Sequence, residues 1–133
     1  MSKIKVAFVC IHNSCRSQMA EGWMKNIGQE IVDCYSAGTE DYPEVKPNAI
    51  KVMKEVGIDI SHFKPKRLKD IPNKFEILIT MGCGVDCPLV NCDYRKDWNI
   101  EDPSEGTIDD FRKARDSIKI KVEELLTKIK SNG

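Results

Sequence analysis

The sequence predicts an α/β fold, in which buried strands alternate with helices, and three observations point that way. Apolar runs of strand length recur at Lys3 to Val9, Ile31 to Ser36 and Phe75 to Thr80. Longer stretches with apolar residues three and four apart follow, at Ser17 to Ile27, Pro47 to Val56 and Thr107 to Lys130. Between the first run and the first helical stretch lies a polar strand-to-helix turn, Cys10-Ile11-His12-Asn13-Ser14-Cys15-Arg16-Ser17.

Each element has a local reason. In the first helix Met19, Ala20, Trp23, Met24 and Ile27 form a buried stripe, and Gly28 is expected to stop it. Cys34 lies inside the second strand and reads as packing, while Gly38 lets the chain turn close to the first loop. Pro47 suits the first turn of the second helix and Gly57 its end. In the last helix Ile108, Phe111, Ile118, Val122, Leu125, Leu126 and Ile129 mark the inner face, which packs and does no chemistry. From Met81 to Trp98 no periodicity survives, and with two glycines and a proline the stretch reads as a loop after a strand end, where open α/β sheets place ligands.

Composition narrows the function. At 133 residues the chain has the size of one domain, so 1–133 is read as a single unit. Its 21 basic side chains balance 21 acidic ones, leaving no global field to recruit nucleic acid. No apolar run approaches a membrane span or a signal peptide, so a cytoplasmic location and no membrane partner are expected. The six cysteines, Cys10, Cys15, Cys34, Cys83, Cys87 and Cys92, are then catalytic, redox-active or metal-binding before they are structural disulfides.

The polar turn carries the chemistry. Residues Ile11, His12, Asn13, Ser14, Cys15, Arg16 and Ser17 turn their backbone N–H groups toward one point, an oxyanion cradle at a helix start. Cys10 opens the turn and Arg16 closes it, so an anion forked by the guanidinium sits on the Cys10 sulfur. The same dipoles favour thiolate over thiol, and Cys10 is expected to be nucleophilic near neutral pH. Asn13 suits a left-handed turn position, and Ser17 suits either the sulfur or the helix cap. His12 is expected to point outward and His62 to lie on the surface. A free cysteine ending a buried strand is also an ordinary packing residue, and a bare Cys-x5-Arg arises by chance.

Taken together, Cys10 to Trp23, Tyr35-Ser36-Ala37-Gly38, Pro47-Asn48-Ala49-Ile50, Met53 to Ser61 and Glu101-Asp102-Pro103 resemble the thioredoxin-coupled arsenate reductases, which share the low-molecular-weight protein tyrosine phosphatase fold. The resemblance implies a three-layer open parallel sheet of about four strands with helices on both faces, in a monomer. It implies reduction of arsenate to arsenite in arsenical detoxification, with a side phosphatase activity. Cys10 would be the nucleophile, Arg16 and the loop amides would hold the arsenate or phosphate oxyanion, and Asp102 would protonate the departing oxygen if its surroundings raise its proton affinity.

The resemblance also implies a relay, first a disulfide from Cys10 to Cys83, then from Cys83 to Cys87, reset by thioredoxin. Cys87-Pro88 matches the family, the three-residue spacing from Cys83 is shorter than usual, and Cys92 is an alternative relay cysteine. No organic cofactor is implied. Relatives place a monovalent cation beside Asn13, Glu21 and Ser36, but Lys66 falls where their additional acid would be. Two alternatives stand beside the reductase. One is a tyrosine phosphatase, against which Ser104 replaces the usual tyrosine and the loop cysteines would be idle. The other is a metal-binding loop of Cys83, Cys87 and Cys92, which lacks a nearby fourth ligand.

Overall fold

The computed structural model describes residues 3–40, 42–82 and 91–132. Its centre is β1 (Ile4–Cys10), in which Val6, Ala7, Phe8 and Val9 are all fully buried. A strand covered on both faces has no polar side to alternate with, which is why this run reads as continuous rather than period two. Around it stand β2 (Val32–Gly38), β3 (Lys74–Thr80) and β4 (Asn91–Asp97), in the order β2-β1-β3-β4 with every pair parallel.

The order reverses at β1. The chain leaves β1 for one neighbour, β2, and returns across it to the other, β3. The crevice at the carboxyl ends of β1 and β3 is thus the switch point at which open α/β sheets bind ligands. Cys10 ends β1 there, level with Gly38.

Three helices, α1 (Arg16–Gly28), α2 (Pro47–Glu55) and α3 (Ile108–Asn132), share one large apolar cluster with Val6, Phe8 and Ile79 of the sheet. The opposite face presents Ala7, Val9, Phe75 and Leu78, covered by Tyr35, by Ile71 and by Leu68 of the short 3-10 helix Leu68–Asp70. Helical elements therefore lie on both faces of a four-stranded parallel sheet, the three-layer arrangement expected. The α3 start is secured by Thr107 and Asp110, whose side chains each meet the other's backbone N–H at 3.4 and 2.9 Å, a reciprocal cap. None of the described helices is long and apolar enough to cross a membrane.

Four local expectations are corrected. Asn91–Asp97 is a strand, not part of a loop, because an edge strand with mostly exposed side chains shows no apolar period. Ile27 is 39% exposed, since the stripe of α1 turns to Gly28 instead, packed against Leu126. Gly28 belongs to the helix and the following Gln29 stays right-handed, so no left-handed glycine stops it. Ala37 and Gly38 continue β2 instead of turning, and the turn begins one residue later. Gly57, with φ of +82°, does end the second helical stretch as expected.

Gly38 is where the sheet meets the anion loop. A Cβ there would stand 2.7 Å from the carbonyl carbon of His12 and the oxygen of Ile11, both backbone atoms. Neither can move aside without breaking the turn. Gly38→Ala is expected to lower stability by about 1–3 kcal/mol in urea unfolding, the usual cost of overpacking, and to weaken inorganic phosphate binding in the same protein.

Candidate active site

Asn13 has φ of 56°, a left-handed conformation that an L-residue adopts at a cost unless its side chain is well held. It is fully buried and fully engaged. Its Oδ1 accepts from Gln18 Nε2 at 2.8 Å and from the Lys66 backbone N–H at 2.9 Å, while its Nδ2 donates to Ser17 Oγ at 2.8 Å. Gln18 also donates to the Asn13 and Lys64 carbonyls, both at 3.0 Å. This bonding fixes the turn.

The consequence falls on the Cys10 sulfur. The Asn13 backbone N–H donates to Sγ at 3.2 Å, and Ser17 Oγ lies 2.8 Å from it. Because Ser17 Oγ already accepts from Asn13, its own hydrogen is available for the sulfur, so two donors converge on a group that is only 4% exposed. The two contacts fix the sulfur at the floor of the cleft.

Arg16, the first residue of α1, is 3% exposed. Its Nη1 donates to the Met81 and Ile100 carbonyls, each at 2.7 Å, which ties it to the segments just past β3 and β4. The guanidinium is therefore preset before any anion arrives. Its Nη2 faces Asp102 Oδ2 at 3.8 Å. Cys10, Ile11, His12, Ser14, Cys15, Arg16, Asp102 and Ser104 line a cleft of about 60 Å³, small enough for a compact oxyanion. Asn13 and Ser17 lie behind the sulfur and support it.

Asp102 differs from expectation. Burial favours its neutral acid, but the hydrogen bonds from the Ser104 hydroxyl and backbone N–H, at 2.7 and 3.0 Å, then the Arg16 and Lys46 charges, outweigh it. Its carboxyl is held below the usual carboxylate range, so the resting group is ionised. A multiply charged oxyanion on Arg16 would offset that cation and push proton affinity back up. The acid role expected from the resemblance would therefore need bound substrate.

His12 points outward as expected, 3.4 Å from Glu40 and with its ring centre 4.8 Å from that of Tyr42. His62 is exposed and sits edge-on against Phe63. Burial, then the nearby Asp102 and Cys10, pushes the Cys15 thiol up, and burial with Glu21 pushes Cys34 up to about 12, so both rest as thiols. Cys92 is not near the cleft. It stands level with Phe75 in β4, whereas Cys10 lies one residue beyond the level of Thr80. Five to six residues along a strand is roughly 17–20 Å, too far for a thiol relay without unravelling the sheet edge. Cys83 and Cys87 lie outside the described residues. Among the described residues no three or more His, Cys, Asp or Glu side chains group as a metal site.

The oxygens beside Asn13, Glu21 and Ser36 do not fit a monovalent cation. Asn13 Oδ1 is already shared by two N–H donors. Buried Glu21 accepts from the Ser36 hydroxyl, pairs with Lys25 at 2.7 Å and faces the Lys66 ammonium at 3.7 Å. Sequence reasoning had missed Gln18 and Ser104. Gln18 has no motif to mark it, whereas Ser104, two residues past Asp102 in Asp102-Pro103-Ser104, carries the signal of an Asx turn.

The chain is similar to known proteins. The low molecular weight phosphotyrosine protein phosphatase family matches residues 5–133. An arsenate reductase of Staphylococcus aureus (strain Newman) is 41% identical over 127 residues, 92% of this chain and 96% of that protein. A glutaredoxin arsenate reductase of Synechocystis sp. is 41% identical over 129 residues, covering 94% and 98%. Among solved structures, an arsenate reductase in the phosphate binding state superposes with a TM-score of 0.88 at 41% identity, covering 96% of this chain and 99% of the other. Arsenate reductases solved in reduced, oxidized and intermediate states are 40–41% identical, with TM-scores of 0.81–0.84.

The Ser104 hydroxyl is the strongest single influence lowering Asp102. Carbon-13 NMR titration of the Asp102 carboxyl is expected to give a midpoint below the usual carboxylate value, moved upward in Ser104→Ala. The sign follows for stability too: a depressed folded-state value stabilises above the ordinary range and is lost as pH falls through it. With the anion loop, its arginine and its helix start in place across nearly the whole length, the chain belongs to the low molecular weight phosphotyrosine protein phosphatase family.

Proposed function

We propose that this protein reduces arsenate to arsenite by a cysteine relay. The observation that carries the reading is the buried Cys10 sulfur, held by two donors at the mouth of an oxyanion cradle, in a chain about 40% identical to named arsenate reductases.

Arsenate enters the cleft with its oxygens on Arg16 and the loop amides. The Cys10 thiolate attacks arsenic, a sulfur–arsenic bond forms, and one oxygen departs with a proton from Asp102. A second thiol then attacks the Cys10 sulfur. A disulfide forms, the sulfur–arsenic bond breaks, and its electron pair stays on arsenic, which leaves as arsenite in the lower oxidation state. Cys83 is the assigned second thiol and Cys87 the third. The chain reaches Cys83 two residues after Met81, whose carbonyl Arg16 holds, and this adjacency supports the assignment.

Thioredoxin is the proposed reductant of the final disulfide, with glutaredoxin as the alternative that the Synechocystis relative's name suggests. The cytoplasm is the proposed compartment, because the resting relay needs reduced thiols. All described groups of the cleft come from one chain, so a monomer suffices. The same cradle suits a phosphoryl group, and a weak aryl phosphatase activity is expected beside reduction.

Arsenite formation tests the relay directly. Cys10→Ser is expected to abolish it, while Cys83→Ser and Cys87→Ser each stop multiple turnover with thioredoxin. Cys34→Ser and Cys92→Ser are expected to turn over normally. Wild-type rates in both loop variants would overturn the reading.

A further inference from the structure

The segment Lys64-Pro65-Lys66 is not part of the cleft, yet it grips the nucleophile loop at several points. Lys64 lends its carbonyl to Gln18. Lys66 donates its backbone N–H to Asn13 Oδ1 at 2.9 Å, and its ammonium reaches back to the Lys64 carbonyl at 3.2 Å and faces Glu21 Oε1 at 3.7 Å. Glu21 in turn holds Ser36 of β2, two residues before Gly38, which abuts the loop backbone. One side chain thereby joins α1, β2 and the 64–66 segment around Asn13.

We propose that the Lys66 ammonium is a built-in cation that positions the oxyanion loop, occupying the place where the family resemblance implies a monovalent metal ion. Glu21 is only 4% exposed, and a carboxylate so placed costs much free energy unless it is compensated. Lys25 supplies one charge from a side chain that is half exposed. Lys66, 31% exposed, supplies the other on the side that faces the loop. With two tethered ammonium groups on one carboxylate, a free cation gains little there and would have to displace Lys66. Lys66 touches no reacting atom; its ammonium acts through Glu21 while its backbone N–H holds Asn13, which makes it a positioning residue. This inference rests on the loop geometry and not on the relay, so it stands or falls whether or not arsenate is the substrate.

Calorimetric titration of the reduced full chain with inorganic phosphate, in potassium chloride and in choline chloride of equal concentration, tests it. Wild-type affinity is expected to differ between the salts by less than about twofold. Lys66→Met should bind phosphate about tenfold more weakly in both salts, the size of effect expected for a residue coupled to a site through one supporting network. Lys66→Asp should bind weakly in choline and recover in potassium, because an acid restores oxygen donors for a free ion. A merely structural lysine would produce no such salt-dependent recovery. Potassium-enhanced binding in the wild type, wild-type affinity in Lys66→Met, or no potassium recovery in Lys66→Asp would each overturn the proposal. The wild-type comparison needs no variant, so misfolding of Lys66→Met leaves the test intact.

Discussion

The site depends on one residue held in an unfavourable backbone conformation. Asn13 turns left-handed three residues past the end of β1, and this turn aims its own N–H back at the Cys10 sulfur. Without the left-handed step the chain would run on past the strand end, and the Asn13 N–H would not meet the sulfur. The cost of such a conformation, of order 1–3 kcal/mol, is offset by the hydrogen bonds its side chain makes to Ser17, Gln18 and Lys66. The strain and the chemistry share one set of atoms.

From that point the structure extends in two directions. Toward the cleft, the Asn13 amide orders Ser17, Ser17 orders the sulfur, and the arginine at the start of α1 is locked to the carbonyls of Met81 and Ile100. Preset donors of this kind cost no reorganisation when charge arrives, which is where electrostatic catalysis gains most. Away from the cleft, Gln18 and the 64–66 segment bind the turn to the rest of the fold, and Glu21 carries the hold into β2. Nucleophile, anion cradle and support are thus one hydrogen-bonded network. Asp102 stands apart from it, on the segment after β4, and faces it at Arg16.

The family spans phosphatases and reductases because the first covalent step is common to both. A thiolate attacking a tetrahedral oxyanion needs the cradle, the arginine and an acid, and nothing here distinguishes arsenic from phosphorus at that stage. The difference lies in what meets the sulfur next. Water returns a phosphatase to its start, whereas a thiol turns the adduct into a two-electron reduction.

Short-range chemistry was legible from the chain alone. The central strand, the polar turn, the left-handed asparagine and the contact of Cys10 with Ser17 all lie within fourteen residues, from Ile4 to Ser17, so local spacing suffices to specify them. What only the tertiary structure decided are contacts between segments distant in sequence. Asn91–Asp97 is a strand because β3 offers it a partner, not because its polar side chains announce one. Parallel register carries Cys92 to the far end of the sheet from Cys10, and Arg16 and Lys46, remote in sequence, add their charges to the local Ser104 hydrogen bonds that lower Asp102. Lys66 reaches Glu21 from 45 positions away in the sequence. Local pattern encodes which backbone forms; long-range pairing decides which charges share a neighbourhood, and a linear chain does not display that.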